Sequence, residues 1–155
     1  KLISGHAPSN RDVKGTKFLL DAIDELKKKN DNFDFILIEN LSHGEALKKY
    51  QQIDILVDQL LAGWYGGVAV EAMSFGKLVI AYLRESDLRF IPPEMKSELP
   101  IFNAEPRNIY SILHGVISMS REDLYDLSIK SRNFVEKWHD PKVITDRLKS
   151  DFLSI

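Results

Sequence analysis

Cysteine is absent from the 155 residues. That absence removes disulfide frameworks, cysteine-ligated zinc, iron–sulfur clusters and thiol nucleophiles together, and it agrees with a reducing, cytoplasmic setting. A surplus of charge of one sign is also lacking, since 21 Lys and Arg against 23 Asp and Glu leave a net charge of -2. Bulk binders of nucleic acid or anionic lipid usually concentrate basic residues, so no nucleic-acid partner is expected. No apolar run approaches the roughly 20 residues of a membrane span; the stretch around Val68 to Val70 is broken by Glu71 and by glycines. The four histidines, His6, His43, His114 and His139, fall at no metal-ligand spacing, so no metal site is expected. A serine nucleophile elbow, an acidic pair after the first strand, internal repeats and low-complexity tracts are likewise missing.

What is present is a 44% hydrophobic chain, long enough to bury about 70% of its unfolded surface around one core. It opens on Lys1 and enters an apolar run at once, a beginning that reads as a fragment of something larger. A strand over Leu2 to Gly5 is expected, then a turn-rich stretch from Pro8 to Asp12, with Asp12 as a possible cap. A helix follows with Phe18, Leu19, Ala22, Ile23 and Leu26 on one face, closed by Lys27 to Lys29. Phe33 to Ile38 reads as a strand, Glu45 to Gln52 as a short helix, and Ile53 to Val57 as a third strand. The glycine-bearing loop Gly63 to Gly67 leads into a helix from Val68 to Phe75, and a strand spans Lys77 to Tyr82. Arg84 to Leu99 lacks a period and reads as a long loop; Ile101 to Asn103 is a last strand, and three helical patterns close the chain.

Strands alternating with helices imply an α/β, Rossmann-like parallel sheet with helices on both faces, forming a single domain over residues 1 to 155. Ligands of such sheets bind beyond the carboxyl ends of the strands. Three loops therefore carry the candidate chemistry: Gly5 to Gly15, Glu39 to Glu45, and Asp58 to Gly67. The glycines before the helix at Val68 suit an anion such as phosphate, because they let backbone approach a ligand and the helix offers free N–H groups; they also suit a plain turn. Glu71, one turn into that helix, fits either a ribose diol or the helix dipole. Lys14 and Arg11 stand at a helix start, where cations are misplaced unless an anion joins them; solvated surface charge is the alternative. His6 and His43 lie on the ligand-side loops, where substrate contact and a structural role are both open.

In order, Gly5, Lys14-Gly15, Asp54 to Val57, Gly66, and Val70-Glu71-Ala72-Met73-Ser74-Phe75-Gly76-Lys77-Leu78-Val79-Ile80 form a recognisable series. The series resembles the carboxyl-terminal, donor-binding domain of family 4 (group 1) glycosyltransferases of the GT-B fold, most strongly from Ile53 to Ala81. The resemblance implies a nucleotide-diphosphate sugar as substrate, transferred with retention and without a metal or other cofactor to a saccharide or glycan acceptor. It implies that Glu71 holds the ribose hydroxyls and that Lys14 neutralises the leaving diphosphate. It implies further that Gly5, His6, Gly66 and the backbone at Tyr65 and Gly67 line the donor. It also implies an amino-terminal acceptor domain across a cleft, without which this chain is inactive and the apolar faces of the last helical patterns, Leu124 to Trp138 and Val143 to Ile155, are incompletely covered. Work in polysaccharide biosynthesis, in the cytoplasm at the inner face of the membrane with peripheral association, follows from the same likeness.

Two positions depart from the family pattern. Gly63 stands eight positions before Glu71, where the family carries a first Glu, and His6 follows Gly5 where the family carries an Arg, leaving Arg11 as the substitute. The stretch from Glu39 to Gln52 is also short for the family. These departures keep a second reading in view, a non-catalytic nucleotide- or glycan-binding module.

Overall fold

A computed structural model describes residues 1–30 and 32–153. Five parallel strands, β1 (Leu2–His6), β2 (Phe33–Leu37), β3 (Ile55–Val57), β4 (Leu78–Ala81) and β5 (Ile101–Asn103), form one sheet in the order β2-β1-β3-β4-β5. This is the expected Rossmann-like architecture. The central strands read as unbroken apolar runs because both of their faces are covered. Ile55, Val57, Leu78 and Ile80 face one layer with Leu19, Ile23, Leu26 and Leu113, while Leu56, Val79 and Ala81 face the other with Ala69, Met73 and Phe134. The first layer is built by helices α2 (Thr16–Lys29) and α6 (Ile109–Ile117), the second by α4 (Gly67–Ser74) and α7 (Arg121–Trp138). Phe18, expected on the inner face of α2, is 42% exposed, while Leu19, Ala22, Ile23 and Leu26 are buried.

Local chemistry sets the element ends. Asn10, and not Asp12, caps the short helix α1 (Arg11–Lys14): its Oδ1 accepts from the N–H groups of Asp12 at 3.0 Å and Val13 at 3.1 Å. Gly15, left-handed at φ 74°, then turns the chain from α1 into α2. Helix α3 (His43–Gln52) begins two residues before its expected start, because Ser42 and Glu45 form a reciprocal capping box. His43 is thereby the first residue of a helix and not a loop residue.

The expected loop from Arg84 to Leu99 is instead a 3-10 helix (Glu85–Phe90) followed by α5 (Pro93–Glu98). Contacts distant in sequence order it. Lys137 donates to Glu94 at 2.6 Å and Glu98 at 2.7 Å, Trp138 donates to Glu98 at 2.8 Å, and Met95 and Leu99 pack on the second layer. The last helix, α8 (Pro141–Leu153), buries no residue, and Leu148, Phe152 and Leu153 on it are exposed, in line with the expected incomplete cover of the closing helices. The end of that expected helix, 154 to 155, lies outside the described residues.

Candidate functional site

The three expected loops follow β1, β2 and β3 at the carboxyl edge of the sheet, and His6 ends β1 there. Its ring is fully buried, with Nδ1 2.7 Å from the Val57 carbonyl and Nε2 2.8 Å from Thr16 Oγ1. A carbonyl can only accept, so Nδ1 carries the hydrogen and Nε2 accepts from the Thr16 hydroxyl. Burial pushes the His6 pKa below the usual imidazole range, which agrees with a neutral ring. Gly5 is also internal: a Cβ there would lie 2.8 Å from Ile53 Cδ1. Gly5 and His6, expected to line a ligand, thus lie below the surface of the loops. They are floor residues that pin β1 to β3 and to the head of α2, and neither offers an unoccupied polar side-chain atom.

Above that floor lies an ion pair that joins two of the loops. Lys14 Nζ donates to Asp58 Oδ1 at 2.9 Å and to Gln59 Oε1 at 3.1 Å, while Asp58 Oδ2 accepts from the Gly66 N–H at 2.6 Å. The Asp58 side chain is fully buried and that of Lys14 is 13% exposed. An ammonium has three hydrogens, so Lys14 keeps one for a ligand. Arg11 is turned away from the glycine loop onto Glu39, donating from Nε at 2.8 Å and from a second guanidinium nitrogen. That guanidinium holds the Glu39 carboxyl below its ordinary range.

The glycine loop is fixed at both ends and open in the middle. At Gly63 the backbone is left-handed, φ 81°, and Arg84 packs over it with Cζ 3.2 Å from where a Cβ would stand. Tyr65 is buried, stacked on Trp64 at 5.0 Å, and its hydroxyl hydrogen-bonds with His139 Nε2 at 3.0 Å; burial raises its pKa to about 12, so the hydroxyl keeps its proton. Only the backbone of Tyr65 is thus left for a ligand. Asp58 occupies the Gly66 N–H, whereas those of Gly67 and Val68 find no acceptor among the described residues, and a Cβ on Gly67 would meet nothing within 4 Å. One turn on, Glu71 Oε1 accepts from His43 Nε2 at 2.8 Å, with the Glu71 side chain 34% exposed.

Lys14 and Gly66 therefore meet on Asp58 at the head of α4, Gly67 and Glu71 follow on that helix, Arg11 is tied to Glu39, and Gly5 and His6 are buried. The free N–H groups and positive end of α4, with the remaining Lys14 hydrogen, can hold an anion. Two cations, Arg11 and Lys14, face three carboxylates, Glu39, Asp58 and Glu71, and most of this charge is paired internally. Among the described residues no cluster of histidine and carboxylate side chains could hold a metal ion, and no helix is long and apolar enough to cross a membrane.

Sequence reasoning passed over Asp58, Gln59 and the pairing of His43 with Glu71. A charged residue directly after the apolar run Ile55 to Val57 was the available signal for Asp58. Nothing local announces that His43 and Glu71, on different helices, meet.

No family model and no curated protein matches the chain. Among solved structures, it is similar to the C-terminal domain of LpcC, a glycosyl transferase group 1 family protein from Francisella tularensis. The two are 18% identical with a TM-score of 0.60, over 91% of this chain and 87% of that one. This chain has that domain's fold. The expected GT-B carboxyl-terminal architecture is thus found, and the glycine loop with the head of α4 occupies the strand-end crevice where such sheets take ligands.

Proposed function

We propose that the chain is the donor-binding domain of a glycosyltransferase that moves a sugar from a nucleotide-diphosphate sugar to a saccharide or glycan acceptor. The observation that carries this reading is the open head of α4, where two unpaired N–H groups lie beside Lys14 at the carboxyl end of the sheet. The diphosphate would rest on the Gly67 and Val68 N–H groups, and Lys14 would stabilise the charge that develops as the diphosphate leaves. Glu71, oriented by His43, would accept hydrogen bonds from the ribose hydroxyls. Arg11 would join the phosphates on leaving Glu39. An amino-terminal domain would hold the acceptor across a cleft, so that the chain alone transfers nothing. Retention, independence of metal, polysaccharide synthesis and a place at the inner face of a membrane belong to the same proposal through the family resemblance.

A second reading, a non-catalytic nucleotide- or glycan-binding module, is favoured by one feature. Asp58 already neutralises Lys14, and Gly63 offers no carboxylate at the loop entrance. A two-dimensional NMR titration with UDP, GDP, ADP and dTDP tests the site. Shifts at Lys14, Gly66, Gly67 and Glu71 that vanish in Glu71→Ala support it, and silence from all four nucleotides at millimolar concentration refutes it.

A further inference from the structure

A cavity of about 650 Å³ opens at the amino edge of the sheet, the edge opposite the glycine loop. The first residues of three strands, Leu2 of β1, Ile55 of β3 and Leu78 of β4, line it. Helix α7 runs from one layer to the other, Leu124 and Leu127 packing on the first and Phe134 and Val135 belonging to the second, and its first turns wall the cavity. We propose that this cavity is a binding site for a small aromatic monocarboxylate, separate from the phosphate-binding head of α4.

Arg121 carries the argument. With Leu124, Tyr125 and Ser128 it lines the cavity at spacings of three and four, one stripe of α7, and Glu122 and Asp123 fall off that stripe. It is the first residue of the helix, where the dipole disfavours a cation, and among the described residues it has no hydrogen-bond or ion-pair partner. Every other arginine holds a carboxylate or lies over an aromatic ring. Lys77, just before β4, spends one hydrogen on the Gln51 carbonyl at 3.0 Å and keeps two.

The charge of the lining fits a monoanion. Lys1 pairs with Asp34 at 3.5 Å, and Asp54 accepts from the Ile3 N–H at 2.8 Å. Lys77 and Arg121 against Asp54 then leave one positive charge, which a carboxylate neutralises and a phosphate monoester would exceed. A carboxylate also matches the planar fork of a guanidinium in a bidentate pair. Phe75 and Tyr125, 37% and 66% exposed, offer ring surface to an aromatic body, with Met119 and Ile117 beside them. A neutral occupant would leave Arg121 without a partner, and a bare inorganic anion would leave the rings in water. The cavity shares no residue with Lys14, the glycine loop or Glu71, so the inference is independent of the proposed function.

The test is a two-dimensional NMR titration of the chain with 4-phenylbutyrate, with 4-phenylbutanol, acetate and phenyl phosphate as separate arms. Saturable shifts are expected at the Arg121 Nε–H and at the Gly76, Lys77 and Tyr125 amides, with 4-phenylbutyrate about tenfold tighter than the other three. Arg121→Gln, at an exposed position, should weaken that binding about tenfold without moving the thermal midpoint, and Tyr125→Ala about threefold. Silence of these groups at millimolar 4-phenylbutyrate overturns the proposal, as does an alcohol or phosphate that binds as tightly as the acid. Unchanged affinity in Arg121→Gln overturns it too. Nucleotide binding is read separately at Gly66 and Gly67, so failure at one site is distinguishable from failure at the other.

Discussion

Lys14 and Asp58 meet 2.9 Å apart under the mouth of the site, and the second Asp58 oxygen holds the Gly66 N–H. One buried carboxylate therefore fixes both the cation and the loop that would face a ligand. Removing one partner leaves the other charge buried, which is the costly way to break such a pair. Asp58→Ala should destabilise the fold by about 3 kcal/mol. Lys14→Met combined with Asp58→Asn, which leaves no unpaired charge, should cost clearly less than the two single changes added together. Urea unfolding of the four proteins measures this, and simple additivity would contradict the coupling.

Gly5 is set by packing. A Cβ there would approach Ile53 Cδ1 to 2.8 Å and Cγ2 to 2.9 Å. Gly5→Ala should cost about 2 kcal/mol by overpacking, and Ile53→Val, which deletes Cδ1, should recover part of that cost. Denaturation midpoints of the single and double variants decide it.

Gly63 is set by conformation as well as space. At φ 81°, with Arg84 overhead, Gly63→Ala should lose about 1 kcal/mol. Gly63→Glu restores a carboxylate at this position but brings the same strain and displaces Arg84. It should therefore lower the thermal midpoint; a midpoint at or above that of the unchanged chain would contradict the reading.

His6 gives the fold a pH dependence of predictable sign. Burial lowers its pKa from the unfolded value of 6.5, so the unfolded chain binds the proton more readily. The contribution of His6 is full above about pH 6.5 and is lost as pH falls below that value toward the lower folded pKa. His139, also lowered by burial, acts in the same direction. Urea midpoints should fall between about pH 7 and pH 5, above the carboxylate range. The slope should shrink in His6→Gln, and an unchanged slope would assign the dependence elsewhere.

The sheet was legible in the residues because buried parallel strands must be apolar on both faces, as in Ile55 to Val57 and Leu78 to Ala81. Lys14, Gly66, Gly67 and Glu71 were legible because the ends of strands and helices have local signatures. The helices between Arg84 and Leu99 were not, since Lys137 and Trp138, some forty residues away, hold them. His6 read as a loop residue because a strand-end histidine looks the same in sequence whether it faces solvent or, as here, Val57 and Thr16. Asp58 was underestimated for a similar reason: its partners, Lys14 and Gly66, come from separate loops.

The central claim, that Lys14 and the head of α4 read a diphosphate, is tested most directly by comparing affinities for a nucleoside diphosphate and the matching monophosphate. Calorimetry is run on the unchanged chain and on Lys14→Met with Asp58→Asn. The account predicts that the diphosphate binds about tenfold more tightly than the monophosphate, and that this gap closes in the double variant while the fold is retained. Equal affinity for the two nucleotides in the unchanged chain, or a gap that survives the loss of Lys14, would contradict it.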